Sequence, residues 1–232
     1  MKKVVINREI FDKFPDFKRG IIIIRNIENN IFNDKIEILL NREIVEKSGK
    51  GLAQNDLVKI WEEAYLKFGA NPNKFPPSIK SLAKRIDAGG KIPFINSVVA
   101  LFNYISIKYL IPCGGDDFDR IEGNAKLGLA NGAEQFIPLG GTESENPVPG
   151  EIIYFDDKTL KVMCRRWNWR NGDFTKITEK TKQMVINLDG LSPGEGYIEK
   201  ARDELAKLLV EYCGAQLSLD CLDKDRTEIE VF

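Results

Sequence analysis

The chain has 232 residues, 43% of them hydrophobic, and its 34 lysines and arginines nearly balance 35 aspartates and glutamates, for a formal net charge of −1. This is enough for a real core in one large domain or two small ones. It offers no apolar run of membrane-spanning length and argues against a general nucleic-acid binder. The absence of histidine removes Ser-His-Asp and Cys-His nucleophile systems and the usual histidine-rich metal sites.

The first residues, Met1 to Glu9, are cut short by charge before a signal-peptide apolar stretch can form. Cys113, Cys164, Cys213 and Cys221 show no Cys-x-x-Cys spacing, so reduced thiols in a cytoplasmic protein are expected. Residues 1–100 carry 18 Lys and Arg against 12 Asp and Glu, and residues 101–232 carry 16 against 23, making the front +6 and the back −7. That gradient can steer an RNA to one side, or reflect no more than solvated lysine-rich helices.

Val4–Ile6 and Ile21–Ile27 read as strands, the second apolar enough to be buried on both faces. A short polar segment, Phe11–Phe17, lies between them. Residues 34–48 and 55–68 read as helices, the latter capped by Asn55. After a Pro- and Gly-containing break at 69–77, a helix opens near Pro77 and stops at Gly89-Gly90. The next helix, capped by Asn96 or Ser97 and ending at Pro112, is mostly apolar but contains Asn103, which must pin neighbouring backbone or face a polar pocket.

Beyond it, Gly114 and Gly115 allow close backbone approach to a ligand, or are ordinary turn residues. Asp116 and Asp117, adjacent in an extended segment, point opposite ways and do not make one metal site. Segments 125–130, 135–139, 151–155 and 160–166 suggest a β-rich half, and a packing helix is expected at 197–212. If the alternation of Leu160–Arg165 continues, Arg166, Asn168 and Arg170 share one face opposite Trp167 and Trp169. Guanidinium forks so placed suit carboxylates and phosphates; the alternative is a solvent-facing edge strand. No glycine-rich phosphate loop of either common type occurs, so no nucleotide cofactor is expected.

Taken in order, Phe75-Pro76-Pro77-Ser78-Ile79, Ile95-Asn96-Ser97 with Asn103, Gly114-Gly115-Asp116-Asp117, Gly132-Ala133-Glu134-Gln135-Phe136, Pro149-Gly150-Glu151, Arg165–Arg170, and Thr178 with Thr181 form a recognisable series. It resembles the free-standing B3/B4-domain proteins, which are similar to the B3/B4 region of the phenylalanyl-tRNA synthetase β chain. The likeness is strong over residues 70–190 and looser in 1–69 and 191–232.

The resemblance implies one α/β domain over 1–232, with a mixed central sheet, flanking helices and a ligand cleft. In the synthetase, that cleft hydrolyses tyrosine wrongly esterified to the phenylalanine tRNA. It therefore implies an aminoacyl-tRNA deacylase without metal or cofactor, acting on the aminoacylated 3′ end. The alternative is a non-catalytic module for an amino-acid-like small molecule or RNA. On this reading Glu134, Glu151 and Thr181 are the catalytic candidates. Asn103, Gly114, Gly115, Asp116, Arg166, Asn168 and Arg170 are the substrate-binding candidates. The histidine that follows the helix-ending proline in bacterial editing sites is replaced here by Cys113-Gly114-Gly115 after Pro112.

Overall fold

The computed structural model describes all residues, 1–232. In chain order the elements are β1 (Lys3–Ile6), α1 (Arg8–Lys13), β2 (Phe17–Asn26), α2 (Asp34–Lys47), α3 (Asp56–Lys67), α4 (Ser78–Asp87), α5 (Ser97–Tyr109), β3 (Cys113–Asp117), β4 (Ala125–Leu129), β5 (Ile152–Asp156), β6 (Val162–Arg165), β7 (Arg170–Asn171), β8 (Met184–Leu191), α6 (Tyr197–Cys213), β9 (Gln216–Leu222) and β10 (Glu228–Glu230). They form two sheets, one ordered β10-β1-β4-β5-β6-β7 and the other β3-β8-β2-β9. The first is mixed, because β1 pairs with β4 in parallel and with β10 antiparallel. No helix is long and apolar enough to cross a membrane.

The helices follow the sequence rules. Asn55 caps α3 through the Leu57 amide at 2.9 Å, and Asn96 caps α5 through the Val99 amide at 2.9 Å. α5 is buried almost throughout, as its apolar composition requires. A core of 58 buried residues runs continuously from both sheets to the helices. At one contact Gly20 of β2 lets α6 approach, because a Cβ there would stand 2.9 Å from Ile198.

Several expectations are corrected. The segment after β1 contains a short helix, α1, rather than a polar connection. Residues 135–139 form no strand; they make only single bridges, Gln135 with Lys161 and Pro138 with Gly172, since proline has no N–H to donate to a ladder. Alternation does not continue past Arg165. Arg166 and Trp167 take φ of 44° and 65°, turning the chain so that Trp169 N–H donates back to the Arg165 carbonyl at 3.1 Å. The Arg166–Asn168–Arg170 face therefore does not exist.

Candidate functional site

Strand β3 is one edge of the four-stranded sheet, pairing with β8 alone. Its hydrogen-bond phase can be read from both ends. The Asp189 amide donates to the Pro112 carbonyl, and the Phe118 amide donates to that of Gln183. Residues 112, 114, 116 and 118 therefore bond to β8, and Cys113, Gly115 and Asp117 turn their amides outward. Asp117 donates its amide to the Thr175 carbonyl at 2.9 Å. The Cys113 and Gly115 amides are left on the open edge.

On one face of β3, between the two sheets, lies a cavity of about 90 Å³. Gly114 and Asp116 share this face by strand alternation, and a Cβ on Gly114 would meet nothing within 4 Å. The far wall comes from Tyr154 of β5, Cys164 of β6 and the 167–168 turn, and the floor from Arg19, Asn187 and Asp189. Arg19 Nε and Nη2 donate to the two oxygens of Asp189 at 2.7 and 2.8 Å, and Trp167 Nε1 donates to the same carboxylate at 3.0 Å. Trp167 is itself locked by edge contacts with Phe14, Phe17 and Trp61.

This floor is not fully satisfied. Arg19 Nη1, Tyr154 Oη, Asn187 Oδ1 and Asn168 Nδ2 are buried with no hydrogen-bond partner, a costly arrangement unless a ligand or water completes it. Asp116 receives the Thr175 hydroxyl at 2.5 Å. Burial pushes its carboxyl up to about 6, with Asp117 adding to the rise and Thr175 and Arg19 opposing it. Burial also holds the Cys113 and Cys164 thiols well above their usual range, so neither supplies a thiolate near neutral pH.

A second groove of about 260 Å³ lies on the α4–α5 side of β3, against Asn103, Ser106, Arg85 and Trp169. Ser78 and Cys113 line both spaces, so groove and cavity meet at the β3 edge where the free amides lie. Trp169 packs edge-on against Phe75, and the Arg166 guanidinium stacks 3.6 Å over the Phe75 ring.

Of the candidates from sequence, Gly114, Gly115, Asp116 and Asn168 come together at the cavity, and Asn103 lies in the groove. The others do not join them. Glu134 is buried and accepts from the Asn131 and Gly132 amides, closing its own loop. Glu151 is consumed by Arg165, at 2.7 and 2.9 Å, and by Arg166 at 3.2 Å. Thr181 donates to Asp117 at 2.8 Å and accepts from the Thr178 amide, fixing the 178–181 turn. Arg170 is exposed and pairs with Glu145. The residues missed from sequence are Arg19, Tyr154, Asn187 and Asp189. For Arg19, Asn187 and Asp189 the only signal is a charge or amide inside otherwise apolar strands, the pattern that flags a buried polar group needing a partner; Tyr154 gives none.

A family model described as the B3/4 domain matches residues 60–214. The phenylalanine–tRNA ligase beta subunit of Fusobacterium nucleatum subsp. nucleatum is 28% identical over 114 residues, covering 48% of this chain and 13% of that protein. The crystal structure of an N-terminal fragment of the phenylalanyl-tRNA synthetase beta-subunit from Pyrococcus horikoshii overlays 92% of this chain and 49% of its own, at a TM-score of 0.48 and 15% identity. The chain thus spans less than half of either relative.

Proposed function

This chain belongs to the B3/4 domain family, and from that premise we propose that its cavity binds the aminoacyl group of an aminoacyl-tRNA 3′ end and hydrolyses the ester. The observation that carries the proposal is the pairing, at one strand edge, of an outward Gly115 amide with an Asp116 carboxyl whose pKa is about 6. A carboxyl poised near neutrality can take and return a proton. A fixed backbone amide can stabilise an oxyanion.

In the proposed reaction, water oxygen adds to the ester carbonyl carbon while Asp116 takes the water proton. The carbonyl oxygen becomes an oxyanion facing the Gly115 amide. Collapse breaks the bond to the ribose oxygen, which receives the proton from Asp116, and the amino acid leaves with a free carboxylate. An ester is already activated, so positioning and oxyanion stabilisation suffice without histidine. Gly115 is needed where it stands, because a Cβ there would lie 3.0 Å from the Val185 carbonyl and 3.1 Å from Phe102.

The groove beyond the strand edge is the place for the terminal nucleotide, with Asn103 and Trp169 beside it. Exposed Arg85 lines that groove, and exposed Lys74 stands over the Phe75 ring that packs on Trp169. The nearby Asp87 carboxylate is engaged by the Leu52 and Ala53 amides at 2.8 and 2.9 Å. A cationic rim of this kind suits RNA phosphates.

The test is deacylation of a panel of mischarged tRNAs by the wild type and by Asp116→Asn. Turnover that rises through pH 6 and is abolished in the variant is expected. Turnover equal in both proteins would remove Asp116 from the chemistry. No turnover from folded wild type would favour the non-catalytic reading, a binding module for an amino-acid-like ligand.

A further inference from the structure

Strand β3 is bonded to β8 on one side only. Because residues 112, 114, 116 and 118 face β8, Cys113 and Gly115 turn both their N–H and their C=O outward. Nothing in the protein donates to either carbonyl or accepts from either amide. Two residues opposite each other in an antiparallel pair exchange both bonds when each points its N–H and C=O at the other. An α-aminoacyl group, N–Cα–C=O, carries the same two groups at the same spacing as one strand residue. Set opposite Gly115, its α-amino group donates to the Gly115 carbonyl and its carbonyl oxygen accepts from the Gly115 amide. The second bond is the oxyanion contact of the proposed hydrolysis.

The two ends of this edge differ. Past Asp116, the Asp117 amide is taken by the Thr175 carbonyl at 2.9 Å. Thr175 is itself buried and tied through its hydroxyl to Asp116. At the other end Cys113 keeps its outward amide, and Cys113 and Ser78 line both the cavity and the groove. Antiparallel pairing points the ligand's amino end toward Asp117 and its ester toward Cys113. The closed end therefore meets the group that must end the chain, and the open end meets the ester that continues into the ribose. Further residues on the amino side would follow at about 3.4 Å each, the first opposite Asp116 and the second opposite Asp117, where Thr175 already stands.

We infer that the β3 edge reads its ligand as a single strand residue, Gly115 taking the free α-amino group with its carbonyl and the acyl carbonyl with its amide. The site thus admits α-aminoacyl esters and excludes peptidyl and β-aminoacyl ones, an inference that rests on the cavity being the aminoacyl site. A β-amino group lies one carbon farther from the carbonyl and does not close both bonds at once. The selection is made by main chain and needs no contact with the amino acid's side chain.

The experiment is calorimetric titration with non-hydrolysable 3′-aminoacylamino-3′-deoxyadenosines carrying alanyl, β-alanyl and glycylglycylalanyl groups. Alanyl and β-alanyl are isomers of equal charge, so a difference between them reports the position of the nitrogen. The alanyl compound is expected to bind at least about tenfold tighter than both others, the effect of one hydrogen bond from a charged donor. At saturation with it, hydrogen exchange at the Gly115 amide, followed by NMR, is expected to slow at least about tenfold. Exchange at Asp117, already bonded to Thr175, should stay as in the free protein. Equal binding of alanyl and β-alanyl, tight binding of the tripeptidyl compound, binding of none, or an unprotected Gly115 amide in the complex would overturn the inference. Deacylation of charged tRNAs is read separately. Alanyl-selective binding with a protected Gly115 amide but no turnover would leave the pairing standing and sink the hydrolase reading, whereas turnover with Gly115 unprotected would do the reverse.

Discussion

Replacing Asp116 by asparagine keeps the side chain's size and an oxygen to accept the Thr175 hydroxyl, and removes the ionisation. The native carboxyl titrates at about 6 against an ordinary 3.8. Below about pH 3 it is neutral folded or unfolded, and the substitution changes little. Between pH 4 and 6 the native state holds the extra proton, so this group's contribution to stability falls as pH rises. Above pH 6 the loss is complete and amounts to about 3 kcal/mol. That is an upper bound, because part of Asp116 faces the cavity, where water screens its charge. Asp116→Asn should therefore unfold at higher urea than wild type at pH 7.5, with unchanged m, and at the same urea at about pH 3. In heat, the gain at pH 7.5 corresponds to a rise of up to about 6–12 °C. Taking the difference between the two proteins cancels the other carboxylates, such as Asp156 and Glu199, whose native pKa values are depressed. A pH-independent difference, or a loss of stability that grows with pH, would refute the account of Asp116 as a strained functional acid.

Gly114→Ala places a methyl on the cavity face with no atom within 4 Å. Stability should hold or rise by about 0.4–1 kcal/mol, while binding of the aminoacyl analogues falls; unchanged affinity would show that the ligand does not approach this face. Glu151→Gln leaves Arg165 and Arg166 without their buried counter-charge, at a cost of about 3–5 kcal/mol readable by urea unfolding. Full stability with lost turnover would instead make Glu151 part of the chemistry. Thr181→Val forfeits a bond to Asp117 and one from the Thr178 amide, a loss of about 1–3 kcal/mol by thermal unfolding. Intact stability with abolished hydrolysis would return Thr181 to the site.

The helices were legible because each carries its own instructions. The caps at Asn55 and Asn96 and the apolar spacing of α3 to α6 act within a few turns of chain. Strand β8 was not legible, since Asn187 and Asp189 interrupt an otherwise apolar run, and they do so because they face a cavity rather than a hydrocarbon core. β9 and β10 were missed for a related reason: both are half-exposed edge strands whose alternation is diluted by charge. At the site, the Gly114–Asp116 segment was found because glycines beside acids are locally conspicuous. Arg19 and Asp189 sit 170 positions apart and meet only through the β2–β8 register. Glu134 and Glu151 lie outside the cavity for a reason sequence does not carry: it shows that a carboxylate is present but not that the neighbouring amides and guanidinium groups already occupy it. The Arg166–Arg170 face failed on two left-handed residues that no periodicity signals.

The bond from the Trp167 indole to Asp189 gives the molecule an optical consequence. Indole emission shifts in colour and intensity with the charge and hydration next to its nitrogen. Here that nitrogen touches the carboxylate that forms the cavity floor, with Trp61 5.2 Å away in edge contact. The third tryptophan, Trp169, lines the neighbouring groove. Filling of the inner space and of the outer one should therefore be separable by intrinsic fluorescence, without a label, once either indole is replaced by phenylalanine.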